Sequence, residues 1–141
     1  MAGALTFVDS SVLVYAHDLS EEVRRPVAQA LLDELWASRT GTLSTQVLQE
    51  FYVVATRKFS PPLARAAARD VVSAYAAWPV MSPDAAMIMA ASQLEERHTL
   101  SFWDALIVEA ARRSGAGRLV SEDLQAGRRI VGITIENPFA T

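Results

Sequence analysis

Cysteine is absent from the 141 residues, which excludes a disulfide framework and a thiolate metal site. Only two histidines occur, His17 and His98, far apart and without ligand spacing, so any bound metal is expected to sit on oxygen. No apolar run approaches the roughly 20 residues that span a bilayer, and Met1 to Leu5 carries no basic region of a leader. These absences predict a soluble, cytoplasmic protein with no membrane contact. Lysine is nearly missing as well: Lys58 stands alone among 13 basic residues, the rest being arginine. Arginine's planar fork suits bidentate contact with phosphate, although a GC-rich genome also favours arginine and alanine codons. What the chain has in quantity is apolar side chain, 51% of the total, enough for one core and therefore a single domain over 1–141.

Hydrophobic patterning divides the chain into alternating strands and helices. Leu5, Phe7 and Val8, flanked by Gly3 and by Ser10 and Ser11, predict a buried strand that delivers Asp9 at its C-terminal end. Ser20 is the expected N-cap of a helix with Glu21 and Glu22 in its first turn, followed by Val23, Val27, Leu31 and Leu35 at helical spacing. Thr42 to Ser44 predicts a second strand and Thr45 to Arg57 a second helix. Ser60, Pro61 and Pro62 break that helix, and one of the prolines is expected to open the next, through about Tyr75. Trp78 to Met81 predicts a third strand, and Ser82, Pro83 and Asp84 a helix start running to Arg97. Ser101 is expected to cap a helix through Arg113, stopped at Ser114 and Gly115. Leu119 and Val120 form a fourth strand ending at Ser121, Glu122 and Asp123, and Ile130 to Ile135 a fifth. Such alternation implies a mainly parallel sheet covered by helices on both faces, with ligands bound outside the carboxyl ends of its strands.

Most of the 16 acids have ordinary places, in first turns of helices or on solvated faces. Four do not. Asp9 and Asp123 fall at strand ends. Glu50 lies three residues after Val47 and four before Val54, on or beside an apolar helix face, and Asp104 shares a face with Ile107, Val108 and Ala111. Burying an unpaired carboxylate costs several kcal/mol, and no basic residue lies locally to offset either helical acid. Each has an alternative: Asp104, three after Ser101, can complete a capping box, and Glu50 can be the wet edge of its stripe. Taken together, the four make a set of oxygen donors suited to Mg²⁺ or Mn²⁺ and hence to phosphoryl chemistry. The net charge of −3 offers no basic excess for binding nucleic acid; with four acids facing cations, sixteen less four leaves twelve against 13 bases.

In this setting the chain resembles the PIN-domain ribonucleases, and among them the VapC toxins of type II toxin–antitoxin systems. The segments that carry the resemblance are FVDSSVLVY (Phe7 to Tyr15), STQVLQEFY (Ser44 to Tyr52), LSFWDALIVEAA (Leu100 to Ala111) and LVSEDL (Leu119 to Leu124), in family order over nearly the whole chain. The resemblance implies a flavodoxin-like three-layer α/β/α sandwich and Mg²⁺-dependent hydrolysis of RNA, with Mn²⁺ as a substitute. It also implies a cognate antitoxin and a homodimer. By the same resemblance Asp9, Glu50, Asp104 and Asp123 are the catalytic and metal-binding acids. Ser11, where the family often has Asn, and Ser121, two before Asp123, are supporting residues. Glu122 adjoins Asp123, but neighbouring strand residues face opposite sides, and the motif spacing favours Asp123. Glu109, about 140° around the helix from Asp104, is left out of the set. Two rivals share the fold class. A haloacid-dehalogenase-like phosphatase needs a second aspartate at position 11, which is serine. A receiver domain needs a strand-end lysine, and Lys58 lies in a helix tail. A PIN fold kept as a binding module without catalysis is the reading from a different class. Trp36, Phe59, Trp78 and Phe139 are candidates for partner surfaces or for the core.

Overall fold

A computed structural model describes residues 4–140, so Gly3, expected to flank the first strand, and most of the Met1 to Leu5 stretch lie outside the described residues. Twelve elements follow in the order β1 (Leu5–Val8), α1 (Ser10–His17), α2 (Arg24–Ser38), β2 (Gly41–Ser44), α3 (Thr45–Arg57), α4 (Arg65–Tyr75), β3 (Val80–Met81), α5 (Ala85–His98), α6 (Phe102–Ser114), β4 (Ala116–Val120), β5 (Arg129–Ile130) and β6 (Ile133–Glu136). The sheet has the strand order β3-β2-β1-β4-β6-β5, and every pairing is parallel except β5 with β6. From β1 the chain builds outward through β2 and β3, then returns to lay β4 on the other side of β1. The direction of winding therefore reverses between β1 and β4, the place where an open α/β sheet leaves a crevice at its carboxyl edge.

Helices cover both faces, giving the three-layer α/β/α arrangement expected from the alternation. α5 packs on α6, which lies against β1, β2, β3, β4 and β6, while α1 packs on α2 and α3 and α3 carries α4. Both faces of the central strands are buried: Phe7, Val8 and Leu43 are fully enclosed, and so are the polar Thr42 and Ser44 on the other face of β2. The core continues through Val12, Leu13, Val47, Phe51, Val108, Leu119 and Ile135.

Several boundaries differ from the expectation, each for a local reason. Ser10–His17 is a helix where only a strand flank was expected, because α1 is buried on most of its sides and shows little amphipathic period. Ser20 is not a cap: its backbone and hydroxyl bond Asp18, and α2 opens at Arg24, with Glu21 bonded to the Arg24 guanidinium. Neither proline opens α4, which begins at Arg65. Asp84, not Ser82, caps α5 by accepting from the Met87 amide at 2.8 Å. The single strand expected over Ile130 to Ile135 is a hairpin, folded at Val131 and Gly132, whose φ values of 46° and 83° suit a two-residue turn of the primed type. Phe59 and Trp78 are core residues, whereas Trp36 remains partly exposed against Tyr75 and Trp78.

Candidate active site

Strand register brings the first two site residues together. Val8 pairs with Val120 across the parallel β1–β4 ladder, so Asp9 and Ser121, the next residue on each strand, emerge side by side. The Asp9 amide continues the ladder by donating to the Val120 carbonyl at 3.0 Å. The Ser121 hydroxyl donates to Asp9 Oδ2 at 2.6 Å, and the Ser10 amide donates to Oδ1 at 2.7 Å, which makes Asp9 the N-cap of α1. Asp9 is 4% exposed. Burial pushes its carboxyl up to about 6 from 3.8, with the charges of Glu50 and Asp123 adding to the rise and the bonds from Ser121 and Ser10 limiting it. No arginine or lysine offsets it among the described residues.

Glu50 reaches the same edge from α3, whose first turn is fixed by the Ser44 hydroxyl accepting from the Val47 amide. Half-buried, its carboxylate takes the Ser10 hydroxyl at 2.7 Å on Oε2 and the Gln46 side-chain amide at 2.9 Å on Oε1. Ser10 thus links two acids, by backbone to Asp9 and by side chain to Glu50. Neither Ser10 nor Gln46 was singled out in the sequence. The one available signal was the i, i+4 spacing of Gln46 and Glu50. Gln46 also donates to the Trp103 carbonyl at 3.3 Å, tying α3 to the start of α6.

Asp104 stands in the first turn of α6, which Ser101 caps by accepting the Asp104 amide at 3.1 Å. Only this half of a capping box forms among the described residues: no reciprocal bond occupies the Asp104 carboxylate. Asp123 follows Ser121, whose hydroxyl oxygen accepts the Asp123 amide at 3.1 Å and so sets the turn beyond β4. Its carboxyl is pushed upward by partial burial, then by the charges of Glu122, Asp104 and Glu50. Asp123 is the most open of the four and stands where two cavities meet. The first, about 500 Å³, is lined by Ser10, Tyr15, Glu50 and Asp123 among others, and the second, also about 500 Å³, by Ser101, Asp104, Asp123 and Arg128 among others. Through-space repulsion connects Asp9 to Glu50 and Asp123, and Asp123 to Glu50 and Asp104, so Asp104 is the outlying member.

Among the described residues Ser11 makes no hydrogen bond to Asp9. Its hydroxyl accepts the Glu122 amide at 3.1 Å instead, holding the loop after β4 onto α1. Glu122 turns away from the acids toward the Tyr15 hydroxyl and Arg24 Nε, the latter at 2.7 Å. Burial works against it, but those bonds keep its carboxyl below the usual range. Tyr15 is raised to about 12, first by burial and then by Glu122. Glu109 is buried and clamped by Arg112 at 2.6 Å and Arg113 at 2.8 Å. With those two acids paired to arginines, the acids that line the two cavities are Glu50, Asp104 and Asp123, with Asp9 buried at the strand edge.

Comparison with known proteins sets this geometry in a family. No curated protein sequence matches the chain. Among solved structures, a toxin–antitoxin complex from Klebsiella pneumoniae superposes with a TM-score of 0.68 at 16% identity, covering 94% of this chain and 97% of that one. The DNA-bound VapBC of Salmonella typhimurium gives 0.66 at 19% identity over 96% and 99% of the two chains. Mycobacterium tuberculosis VapC20, a toxin that cleaves the sarcin–ricin loop, gives 0.63 at 24% identity over 81% and 86%. These likenesses are likenesses of fold. The family model for the PIN domain matches residues 6–129, a span that holds all four acids, and the chain belongs to the PIN domain family.

Proposed function

We propose that this protein is a divalent-metal-dependent endoribonuclease, the toxin of a toxin–antitoxin pair that lowers translation by cutting RNA. The observation that carries the reading is Asp9: a carboxyl buried among other acids, raised to about 6, with no basic partner among the described residues. An arrangement so costly in charge is explained by a cation site.

The donor chemistry fits a hard cation, since every candidate ligand is a carboxylate oxygen. No three of the described acids and histidines already stand in ligand geometry; Glu50 and Asp123 line one cavity, Asp104 and Asp123 the other, and Asp9 is buried at the strand edge beside Ser121. That is compatible with Mg²⁺, or Mn²⁺ in its place, which takes one or two carboxylates and completes its shell with water and substrate phosphate. Asp9 and Glu50, linked by Ser10, are the residues proposed to hold the ion, with Asp123 and Asp104 completing the acid face. A bound divalent ion supplies acidification of water and neutralisation of charge at phosphorus. The protein supplies position: Ser121 and Ser10 fix both oxygens of Asp9, and Ser10 and Gln46 fix both oxygens of Glu50. Among the described residues nothing bonds the carboxylates of Asp104 and Asp123, so both stay open to a water or a substrate.

An antitoxin and a second copy of the chain are the proposed partners. Toxin–antitoxin complexes among the similar folds support this, as does an apolar cleft of about 880 Å³ between α3 and α4, lined by Leu48, Tyr52, Val53 and Val72. No described helix is long and apolar enough to cross a membrane. The test is cleavage of single-stranded RNA during a titration with Mg²⁺, for wild type and Asp9→Asn. Metal-dependent cleavage by the wild type alone is the expected result; equal cleavage by both rejects the acidic-site enzyme, and none by either leaves a PIN fold that only binds.

A further inference from the structure

We propose that Arg128 grips the RNA backbone at the phosphate next to the one being cut, a positioning role that rests on the ribonuclease reading above. Of the two cavities that meet at Asp123, the one beneath Ser10 and Tyr15 is otherwise walled largely by Val14, Val53 and Val54 and holds no basic residue. The other places Arg128 in the same cavity as Asp104 and Asp123, together with His98, Ser101 and Gln125. Its volume of about 500 Å³ lies in the range of clefts that hold a small ligand.

Arg128 is anchored there from both ends. Its guanidinium donates through one Nη to the His98 carbonyl at 3.0 Å, at the end of α5. Its backbone is pinned to β6: the Arg128 carbonyl accepts from the Ile135 amide at 2.9 Å, and the Gly127 amide donates to the Ile135 carbonyl at 2.9 Å. Gly127 has a φ of 85°, a conformation that a side chain would strain. Although two carboxylates share its cavity, Arg128 forms no ion pair among the described residues, unlike Arg24, Arg112, Arg113 and Arg118. One donor is engaged by a neutral carbonyl, and several of the five N–H groups remain for a ligand.

An oxyanion is the ligand such a fork suits, and a phosphodiester chain laid across the acids has its next phosphate one nucleotide further on. A phosphate there meets a fixed positive charge inside a cavity otherwise repulsive to anions. The backbone therefore runs over the Arg128 cavity, leaving the apolar one to a base or sugar. The carboxylate of a bound protein is the competing occupant, and the test separates them.

Binding of a fluorescein-labelled single-stranded RNA of mixed sequence is followed by anisotropy in EDTA over a range of KCl, for wild type, Arg128→Ala and Arg128→Gln. Glutamine keeps an N–H for the His98 carbonyl without the charge, so it serves if the alanine variant melts early. Either variant is expected to bind about tenfold more weakly and to lower the slope of log K against log salt by about 0.7, one phosphate contact on a single strand. In cleavage with Mg²⁺ the loss should appear in KM, with kcat within about twofold. A neutral methylphosphonate beside the scissile linkage should weaken binding of the wild type and cost Arg128→Gln nothing more. An unchanged slope, or a variant that still discriminates against the neutral linkage, overturns the assignment and leaves the protein carboxylate as the occupant. A wild type that cuts no RNA overturns the ribonuclease reading itself; a wild type that cuts, with the slope unchanged in Arg128→Gln, overturns only the role of Arg128.

Discussion

Asp9 carries two demands that oppose each other. As the N-cap of α1 and the partner of Ser121 it holds the β1–β4 edge together, yet its charge is buried beside Glu50 and Asp123. Its folded value of about 6 lies above the ordinary 3.8, so between those values the folded protein keeps a proton that the unfolded chain releases. Stability therefore falls as pH rises through that window. Metal-free Asp9→Asn is expected to be more stable than wild type near pH 8, by at most about 3 kcal/mol, with the difference vanishing below about pH 4. Urea denaturation in EDTA at both pH values checks it. Ser121 acts on the same group in the other direction, since its hydroxyl holds the Asp9 carboxyl down. In Ser121→Ala the acid limb of the cleavage profile should move to higher pH, read from kcat/KM against pH.

Elements place these side chains, and their ends matter more than their middles. Ser101 closes the first turn of α6 directly onto the Asp104 amide, so Ser101→Ala should cost about 1 kcal/mol in denaturant unfolding and lower cleavage by loosening Asp104. β2 is held from beneath by Trp78: a Cβ on Gly41 would come within 2.5 Å of the indole, which itself packs against Tyr75 and Trp36 at 4.9 and 5.1 Å. Gly41→Ala is expected to destabilise by about 1–3 kcal/mol and to lower the melting temperature, because the added methyl pushes the indole out of its packing against Tyr75 and Trp36. α3 was readable in the sequence because its apolar positions fall on one stripe, and α6 because Ser101 caps its start and Ser114 with Gly115 ends it, although residues 105–111 are buried on every side. α1 was hidden by being buried on most sides, and the β5–β6 hairpin by a turn made from Val131 and Gly132 within an otherwise strand-like run. Ser20 looked like a cap, but Asp18 and the Glu21–Arg24 contact fix that segment differently.

At the scale of the molecule, a winding reversal between β1 and β4 sets Asp9 beside Ser121 at the carboxyl edge of the sheet, where Glu50 and Asp123 line one cavity and Asp104 and Asp123 the next. The strand-end positions of Asp9 and Asp123 were legible from patterning alone, because a short buried strand fixes where its last residue emerges. Glu50 and Asp104 were legible as misfits on apolar helix faces. What patterning could not reach were contacts across elements: Ser10 bridging to Glu50, Ser11 serving Glu122 instead of Asp9, and Tyr15 with Arg24 drawing Glu122 out of the cleft. Periodicity describes one element at a time, and these bonds span tens of residues. The central claim is that the remaining acids form one cation site, and a crystal soaked in Mn²⁺ tests it most directly through the anomalous difference map. The account predicts a peak about 2.1 Å from an Asp9 oxygen and within coordination distance of at least one of Glu50, Asp104 and Asp123. No peak at that cleft in a crystal that takes up Mn²⁺ elsewhere would contradict it.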